Sequence, residues 1–322
     1  MFLQTSYALP VNKNYKAMKH IKVKCPASIS NLCCGFDILG MALNDPYDTI
    51  ELSMTEKPGI LIHHTDNYGL STDPSKNIAG VALQAMITEL NIQHGFEIII
   101  TKRIKPGSGI GSSAASAAGI VVAANELLGL GLNKKELVRF AMEGEVIASG
   151  ARHADNLAPC IYGGTVLIRD TASFDIVDIP FPAMYVTILH PQIEIKTSYA
   201  RDILPKEVPL KSAVKQWANV AGLIAGLMSN DYRLIGRSLQ DVIIEPVRSR
   251  LIPGYDSVKG ACMDAGVIGG GISGSGPSLF MLSETEQTAK TAAGIMDQLY
   301  KEMRIEYKTY VTTISKNGIE VE

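Results

Sequence analysis

One stretch of sequence decides the fold: residues 105–116 read KPGSGIGSSAAS. Gly107, Gly109 and Gly111 alternate along it, so side chains are missing from one face of a turn. Several backbone N–H groups can then converge on one anion. The helix expected from Ser112 onward adds its own unpaired N–H groups and the positive end of its dipole. The stretch therefore predicts a phosphate-binding loop in front of a helix.

The predicted phosphate contacts come from this loop. They are Lys105, Pro106, Gly107, Ser108, Gly109, Ile110, Gly111, Ser112 and Ser113. Neither of the two common nucleotide loops is matched, because no lysine follows Gly111 and the glycine spacing is G-x-G-x-G. A plain glycine-rich turn before a buried helix is the alternative. The Ser-Ser-Ala-Ala run directly behind the glycines favours phosphate binding.

Composition narrows the class of protein. The 322 residues are 46% hydrophobic and 19% charged, which excludes a disordered chain. The net charge of -2 offers no basic excess, so we expect neither a nucleic-acid nor a membrane partner.

The five cysteines are odd in number and show no CxxC spacing. Free thiols of this kind indicate a reducing, cytoplasmic location rather than a disulfide framework.

The hydrophobic pattern predicts an α+β chain in two domains. A polar, proline-bearing stretch at 169–182 is the best boundary. We therefore expect an N-terminal extension at 1–18, an ATP-binding domain with the phosphate loop at 19–175, and a second, substrate-side domain at 176–322. Before the boundary the pattern predicts strands near 21–24, 49–54, 60–63, 96–101 and 164–168, and helices near 77–90, 112–128 and 134–148. Beyond it, strands are predicted near 185–190, 267–272, 278–282 and 304–312, and helices near 198–204, 213–229, 233–239 and 285–302.

One acidic residue is predicted to face inward. Asn133 and Glu136 form a capping-box pattern, so a helix should begin near residue 134. At helical spacing Glu145 falls inside the apolar arc of that helix, whereas Glu143 falls on the opposite, charged face. A carboxylate there is disfavoured unless a cation offsets it. A bound Mg²⁺ would do so, and an internal ion pair is the alternative.

Two further segments carry a family resemblance. Residues 26–37 read PASISNLCCGFD, and residues 269–278 read GGGISGSGPS. With the phosphate loop between them, their order resembles the three motifs of the galactokinase–homoserine kinase–mevalonate kinase–phosphomevalonate kinase superfamily. More specific marks are RHADN at 152–156, ARDILP at 200–205 and EPVR at 245–248. The pair Cys33-Cys34 departs from the family, which more often has glycine followed by a small residue.

The resemblance implies a fold and an activity. The fold is an N-terminal domain similar to the second domain of ribosomal protein S5 and a ferredoxin-like C-terminal domain, with the active site in the cleft between them. Among the superfamily members, the chain most resembles those that phosphorylate L-homoserine. This implies transfer of a phosphate from ATP to the homoserine side-chain hydroxyl, in threonine biosynthesis.

The resemblance also implies roles for particular residues. Mg²⁺ would be bound by Glu145 beside a loop serine, Ser112 or Ser113, and we take Ser112 as the ligand. Asp37 and Asn156 would orient the reacting hydroxyl, and together with Glu145 they form the predicted catalytic set. The predicted substrate contacts are Asn31, Asp37, His153, Asn156, Thr197, Arg201 and Arg248. Two arginines suit a carboxylate, which homoserine carries and a sugar lacks.

Several questions stay open at this point. Asp155 could act as a general base, although phosphoryl transfer does not require one. A mevalonate-type or sugar kinase would explain the loops but not the paired arginines. A non-catalytic ATP- or metabolite-binding regulator would not need Glu145. A homodimer is expected because dimers are common. Trp217 could lie at its interface, but we expect Trp217 in the core.

Overall fold

A computed structural model of the chain describes residues 19–150 and 152–322. The predicted N-terminal extension, 1–18, lies outside the described residues. The strands are β1 (His20–Ser30), β2 (Leu39–Thr55), β3 (Ile60–His64), β4 (Gly95–Thr101), β5 (Thr165–Asp170), β6 (Asp175–Ile179), β7 (Tyr185–Pro191), β8 (Gly269–Ile272), β9 (Leu279–Ser283), β10 (Tyr307–Thr313) and β11 (Glu320–Val321). The helices are α1 (Ile78–Glu89), α2 (Ser112–Leu128), α3 (Lys134–Ser149), α4 (Leu157–Tyr162), α5 (Thr197–Asp202), α6 (Leu210–Ser229), α7 (Tyr232–Ser238), α8 (Glu245–Arg248), α9 (Tyr255–Asp264) and α10 (Glu286–Met303).

The first sheet has seven strands and forms one layer of the first domain. Its main order is β11-β1-β2-β4-β3, and the long strand β2 also pairs through its first residues with β5, which pairs with β6. All neighbours are antiparallel except β3 and β4. Helix α2 packs on β1 and β2 through an almost continuous alanine-rich surface, with α1 and α3 beside it. This packing fixes the start of α2, and with it the phosphate loop, at one edge of the layer.

The second sheet has four antiparallel strands in the order β10-β7-β9-β8. With helices between β7 and β8 and between β9 and β10, this is the β-α-β-β-α-β arrangement of a ferredoxin-like domain. One face packs on α9 and α10. From the other face, Val186, Ile188, Phe280 and Leu282 join a core that continues into the first domain. The predicted α+β, two-domain fold is confirmed.

Some elements differ from the sequence-based expectation. Strand β2 begins well before the predicted segment, and α4 and α9 were not predicted. Strand β6 lies inside the segment 169–182 that the sequence predicts as the domain boundary. Its residues, DIVDI, do not alternate between buried and exposed positions, so the sequence pattern does not mark a strand there. Because β6 pairs with β5 and β11 pairs with β1, the first sheet also includes residues on the far side of the predicted division at 175/176. The domain boundaries themselves stay a prediction.

Helix α6 has one face in the core and one in solvent. Trp217 is 62% exposed, and Leu210, Val214 and Met228 on the same helix are also exposed. The expected core role of Trp217 is therefore wrong.

No helix in the part of the chain that the structure describes is both long and apolar enough to cross a bilayer.

Candidate active site

A cleft of about 450 Å³ lies where the two domains meet. The phosphate loop, residues 105–113, forms one wall together with the start of α2. The first domain also contributes residues from the segments 30–37 and 153–156. The second domain contributes α5, Arg248 and residues 274–275. The three motifs that are far apart in sequence thus border one cleft.

The phosphate loop has the backbone that its glycines predict. Gly107, Gly109 and Gly111 have φ angles of 74°, 81° and 74°, in the left-handed region that favours glycine. Gly111 occupies the N-cap position of α2, where it brings no side chain to cap the first N–H groups of the helix. An anion can take that place, because it satisfies those donors and interacts favourably with the helix dipole.

The second glycine-rich segment braces this loop from the other domain. The hydroxyl of Ser273 donates to the carbonyl oxygen of Gly109 at 2.7 Å, and that of Ser278 donates to Ser108 at 2.6 Å. A Cβ atom at Gly109 would lie 2.6 Å from the carbonyl oxygen of Gly276. The loop is therefore held by close backbone approach as well as by hydrogen bonds. We refer to residues 273–278 as the brace segment.

The cations near the loop are committed to other partners. Lys102 forms a buried ion pair with Asp48 and also donates to the Ser112 carbonyl at 2.7 Å. Lys105, a predicted phosphate contact, donates to Gln192 at 3.2 Å and does not line the cleft. Ile110, also predicted, is buried, and its carbonyl oxygen accepts a hydrogen bond from the Ser28 N–H. These contacts hold the loop in its shape. The groups of the loop that remain to bind an anion are mainly its backbone N–H groups.

Glu145 lies in the cleft as its helical position predicts. Helix α3 starts with the predicted capping box and buries Glu145, while Glu143 pairs with Arg152 nearer the surface. Ser113 donates its hydroxyl to Glu145 Oε1 at 3.1 Å. Burial, with a smaller contribution from the charge of Asp155, raises the pKa of Glu145 to about 7. The predicted partner Ser112 instead donates to the carbonyl oxygen of Ile104, so Ser113 replaces it as the candidate metal ligand.

These donors fit a magnesium ion. Mg²⁺ prefers oxygen ligands and commonly takes one or two carboxylates together with substrate phosphates and water. Glu145 and Ser113 provide a carboxylate and a hydroxyl next to the phosphate loop, and a cation there would stabilise a carboxylate that burial disfavours. Within 19–150 and 152–322, no group of three or more His, Cys, Asp or Glu side chains could hold a metal by itself. Further ligands for an ion at Glu145 could come from Ser113, water or substrate phosphates.

The acceptor end of the cleft is built on a strained loop. We call residues 31–37 the acceptor loop. Asn31, Leu32, Cys33 and Asp37 all have positive φ angles between 41° and 71°. Asn31 holds the loop together, because its Oδ1 accepts the N–H of Asp37 at 3.0 Å and its Nδ2 donates to Gly274 at 2.9 Å. Such strain persists only where the surroundings fix it, and it is common at binding sites.

An arginine from the second domain binds the acceptor loop. Arg201 on α5 donates to both carboxylate oxygens of Asp37, at 2.8 and 3.0 Å. His153 approaches the same carboxylate at 3.6 Å, and burial lowers the His153 pKa. Arg248 is buried and donates to the carbonyl oxygens of Ala200 and Gly274, both at 3.0 Å. Burial lowers the Arg248 pKa only to about 10, so its guanidinium stays charged near neutrality.

Asp155 and Asn156 lie side by side but in different environments. Ser28 donates to Asn156 Oδ1 at 2.8 Å, and Asn156 Nδ2 donates to Ser30 at 2.9 Å. Asn156 is thus oriented by two β1 serines that sequence reasoning missed. Asp155 is buried, and burial followed by the charge of Asp37 raises its pKa to about 7.

The remaining predicted substrate residue is Thr197. It lines the cleft, and its hydroxyl lies 3.4 Å from that of Ser275. Thr197 is the first helical residue of α5, and Lys196 rather than Thr197 occupies the N-cap. All seven predicted substrate residues therefore border the same cleft as the phosphate loop.

Comparison with known families defines the class of protein. Residues 77–164 match the "GHMP kinases N terminal domain", and residues 223–302 match "GHMP kinases C terminal". The solved mevalonate kinase of L. major, in complex with R-mevalonate, shares the fold with a TM-score of 0.70 at 17% identity, over 92% of this chain and 96% of that one. The chain has the fold of a GHMP kinase and matches the family models of both domains.

Closer relatives give the particular family. A homoserine kinase from Chloroherpeton thalassium is 43% identical over 94% of this chain and 100% of its own length. One from Methanocella arvoryzae is 41% identical over 94% and 98%. The crystal structure of a homoserine kinase from Cytophaga hutchinsonii has a TM-score of 0.92 at 46% identity, over 96% of this chain and 99% of that one. The chain belongs to the homoserine kinase family, and the predicted resemblance is confirmed.

Proposed function

We propose that the chain transfers the γ-phosphate of ATP to the side-chain hydroxyl of L-homoserine, giving O-phospho-L-homoserine and ADP in threonine biosynthesis. The observation that carries the proposal is the pairing of Arg201 with Asp37 beside Arg248, in the same cleft as the phosphate loop. A zwitterionic amino acid carries one carboxylate and one ammonium group. Guanidinium groups suit the carboxylate, and the Asp37 carboxylate suits the ammonium group.

This charge pattern discriminates against the other substrates of the superfamily. A sugar carries neither charge, and mevalonate has a carboxylate but no ammonium group to interact with Asp37. A regulator without activity would not require a buried carboxylate beside the phosphate loop, where Glu145 lies. Homoserine is therefore the acceptor that the site supports best.

The phosphate end of the cleft supplies positioning and charge stabilisation. Backbone N–H groups of the phosphate loop and of the first turn of α2 would hold the phosphates of ATP. Glu145 and Ser113 would hold Mg²⁺, and a bound ion would supply stabilisation of the negative charge that develops on the phosphates. The brace segment keeps the loop in place because it ties down the carbonyl oxygens of Ser108 and Gly109.

The transfer itself needs one proton to move. The bond from the γ-phosphorus to the ADP oxygen breaks as the bond to the homoserine oxygen forms, and the hydroxyl proton passes to the transferred phosphate. Asn156, fixed by Ser28 and Ser30, is proposed to orient this hydroxyl. Asp155 has the raised pKa of a candidate base, but phosphoryl transfer depends mainly on positioning and does not require one.

The test is an acceptor panel. The protein is incubated with ATP and MgCl₂ and with L-homoserine, L-serine, mevalonate or galactose, and ADP is measured. We expect ADP formation well above background only with homoserine. ADP formation with mevalonate or galactose alone would replace the proposed substrate, and no ADP with any acceptor would remove the kinase proposal.

We also propose that the chain forms a homodimer. The support is the row of exposed apolar side chains on α6, Leu210, Val214, Trp217 and Met228, since contiguous exposed apolar patches mark interaction sites. Light scattering after size exclusion should give twice the chain mass for the wild type and the chain mass for Trp217→Lys. A monomeric wild type would contradict this proposal.

The cytoplasmic location also stays a prediction, supported by five buried free cysteines.

A further inference from the structure

A buried glutamine lies behind the acceptor end of the cleft. Gln216 is on the inward face of α6 and is only 7% exposed. Its Nε2 donates to the carbonyl oxygen of Cys34 and to Asp241 Oδ1, both at 2.9 Å. Its Oε1 accepts the N–H of Val242 at 3.0 Å. One side chain thus connects three separate segments: α6, the acceptor loop and the chain leading into α8.

The first of these connections fixes the strained loop. Cys34 follows three consecutive residues with positive φ angles, a strained conformation for residues other than glycine. Strain of this kind needs contacts that hold the loop from outside. Within the loop the Gly35 N–H donates to the carbonyl oxygen of Asn31 at 2.8 Å. The hydrogen bond from Gln216 to Cys34 is the anchor that α6 supplies, three residues before Asp37.

The second connection fixes α8. Asp241 Oδ1 accepts the N–H groups of Ile243 and Ile244, and its Oδ2 accepts that of Glu245 at the first position of the helix. A carboxylate in this position satisfies N–H groups that the helix start leaves unpaired. Helix α8 ends at Arg248, which lines the cleft. The Gln216 amide therefore joins the segment that carries Asp37 to the segment that carries Arg248.

We propose that Gln216 is a positioning residue that holds the acceptor loop and α8 in register, so that Asp37 and Arg248 recognise the two charged groups of the amino-acid substrate together. Gln216 is not among the residues that line the cleft and acts through these two segments. Its kinetic consequence rests on the proposed function. The phosphate loop is held separately by Ser273 and Ser278, so loss of Gln216 should affect the acceptor and leave the nucleotide almost unaffected.

The test compares two buried amides on one helix. Gln216→Met keeps the side-chain length and removes the three hydrogen bonds. The matched control is Asn219→Leu, because Asn219 is equally buried on α6 but donates to the carbonyl oxygen of Gln240. We expect Gln216→Met to raise the KM for homoserine by roughly tenfold to a hundredfold while the KM for ATP changes by less than about twofold. The control should change both constants by less than about threefold.

Hydrogen–deuterium exchange gives a readout that does not depend on activity. In Gln216→Met the N–H groups of Gly35 and Asp37 should exchange at least about tenfold faster than in the wild type, and those of the control should not. If Gln216→Met does not fold, Gln216→Glu takes its place: it retains the acceptor for Val242 but loses both donated hydrogen bonds, and the same changes are expected.

Three results would overturn the positioning role. The homoserine KM could match that of Asn219→Leu, the two substrates could be weakened equally, or exchange in the acceptor loop could stay unchanged. Failure of the wild type to phosphorylate homoserine is a different outcome. It would remove the proposed function, while the exchange rates of the acceptor loop would still decide whether Gln216 holds it.

Discussion

Replacing Glu145 with glutamine should stabilise the metal-free protein at neutral and alkaline pH. Burial raises the Glu145 pKa from 4.5 to about 7. This difference of about 2.5 corresponds to about 3 kcal/mol of unfavourable free energy once the carboxylate is ionised in the folded state. Glutamine has nearly the same shape and carries no charge. The variant should therefore lose the proposed metal ligand yet gain stability.

The sign and the pH range follow from proton linkage. Between pH 4.5 and 7 the folded wild type binds more protons at Glu145 than the unfolded chain, so its stability falls as pH rises through this range. Near pH 4 the wild type and Glu145→Gln should differ little. The advantage of the variant should grow to about 3 kcal/mol by pH 8, which is roughly 4–5 °C in apparent Tm for a chain of 322 residues.

The assay is thermal unfolding from pH 4 to pH 8 in EDTA, with Glu143→Gln as the matched control on the outer face of α3. Asp155 titrates in the same direction, but it is present in both proteins and largely cancels in the comparison. Mg²⁺ with ADP should stabilise the wild type more than Glu145→Gln. A pH-independent difference between the two proteins, or a variant that is less stable at pH 8, would refute the reasoning.

The remaining predictions concern the loop and the acceptor site. Gly109→Ala should raise the KM for ATP by more than about tenfold, because its Cβ atom would meet the Gly276 carbonyl oxygen. The control Gly131→Ala, also at positive φ but with open space around its Cβ atom, should lose stability only. Equal effects of the two substitutions on the KM for ATP would contradict this prediction. Arg201→Lys should raise the homoserine KM by roughly tenfold to a hundredfold, since one guanidinium nitrogen already contacts Asp37 and lysine lacks the further planar donors that could bind a substrate carboxylate at the same time; an unchanged KM would show that Arg201 does not bind the substrate. Asp155→Asn should lower kcat by less than about tenfold at unchanged substrate affinity, and a loss of several hundredfold would assign Asp155 as the general base.

The phosphate loop and Glu145 could be predicted from sequence because each depends on a local pattern. Alternating glycines in front of an alanine-rich helix permit few backbone arrangements, and the structure places all three at positive φ. The position of Glu145 follows from helical spacing once the capping box fixes where α3 begins. Which of the two loop serines contacts Glu145 could not be predicted in the same way. It depends on the carbonyl oxygen of Ile104, which accepts a hydrogen bond from the Ser112 hydroxyl and leaves Ser113 to contact Glu145.

Contacts between distant segments left little trace in the sequence. The brace from Ser273 to the phosphate loop spans 164 positions, and the bond from Gln216 to Cys34 spans 182. Lys102 illustrates the same limit. Its buried ion pair with Asp48, 54 positions earlier in the chain, has no local sequence signal. Trp217 is expected in the core, whereas its exposure depends on which face of α6 packs inward.

The acceptor itself is tested most directly by the identity of the product. The protein is incubated with ATP, MgCl₂ and L-homoserine, and the mixture is followed by ³¹P and ¹H NMR. The account predicts a new phosphomonoester signal coupled to the side-chain methylene protons of homoserine, formed in equal amount to ADP and strongly reduced in Arg201→Lys at low homoserine. ADP formed with inorganic phosphate and no phosphomonoester, or no turnover while mevalonate or galactose is phosphorylated, would contradict it.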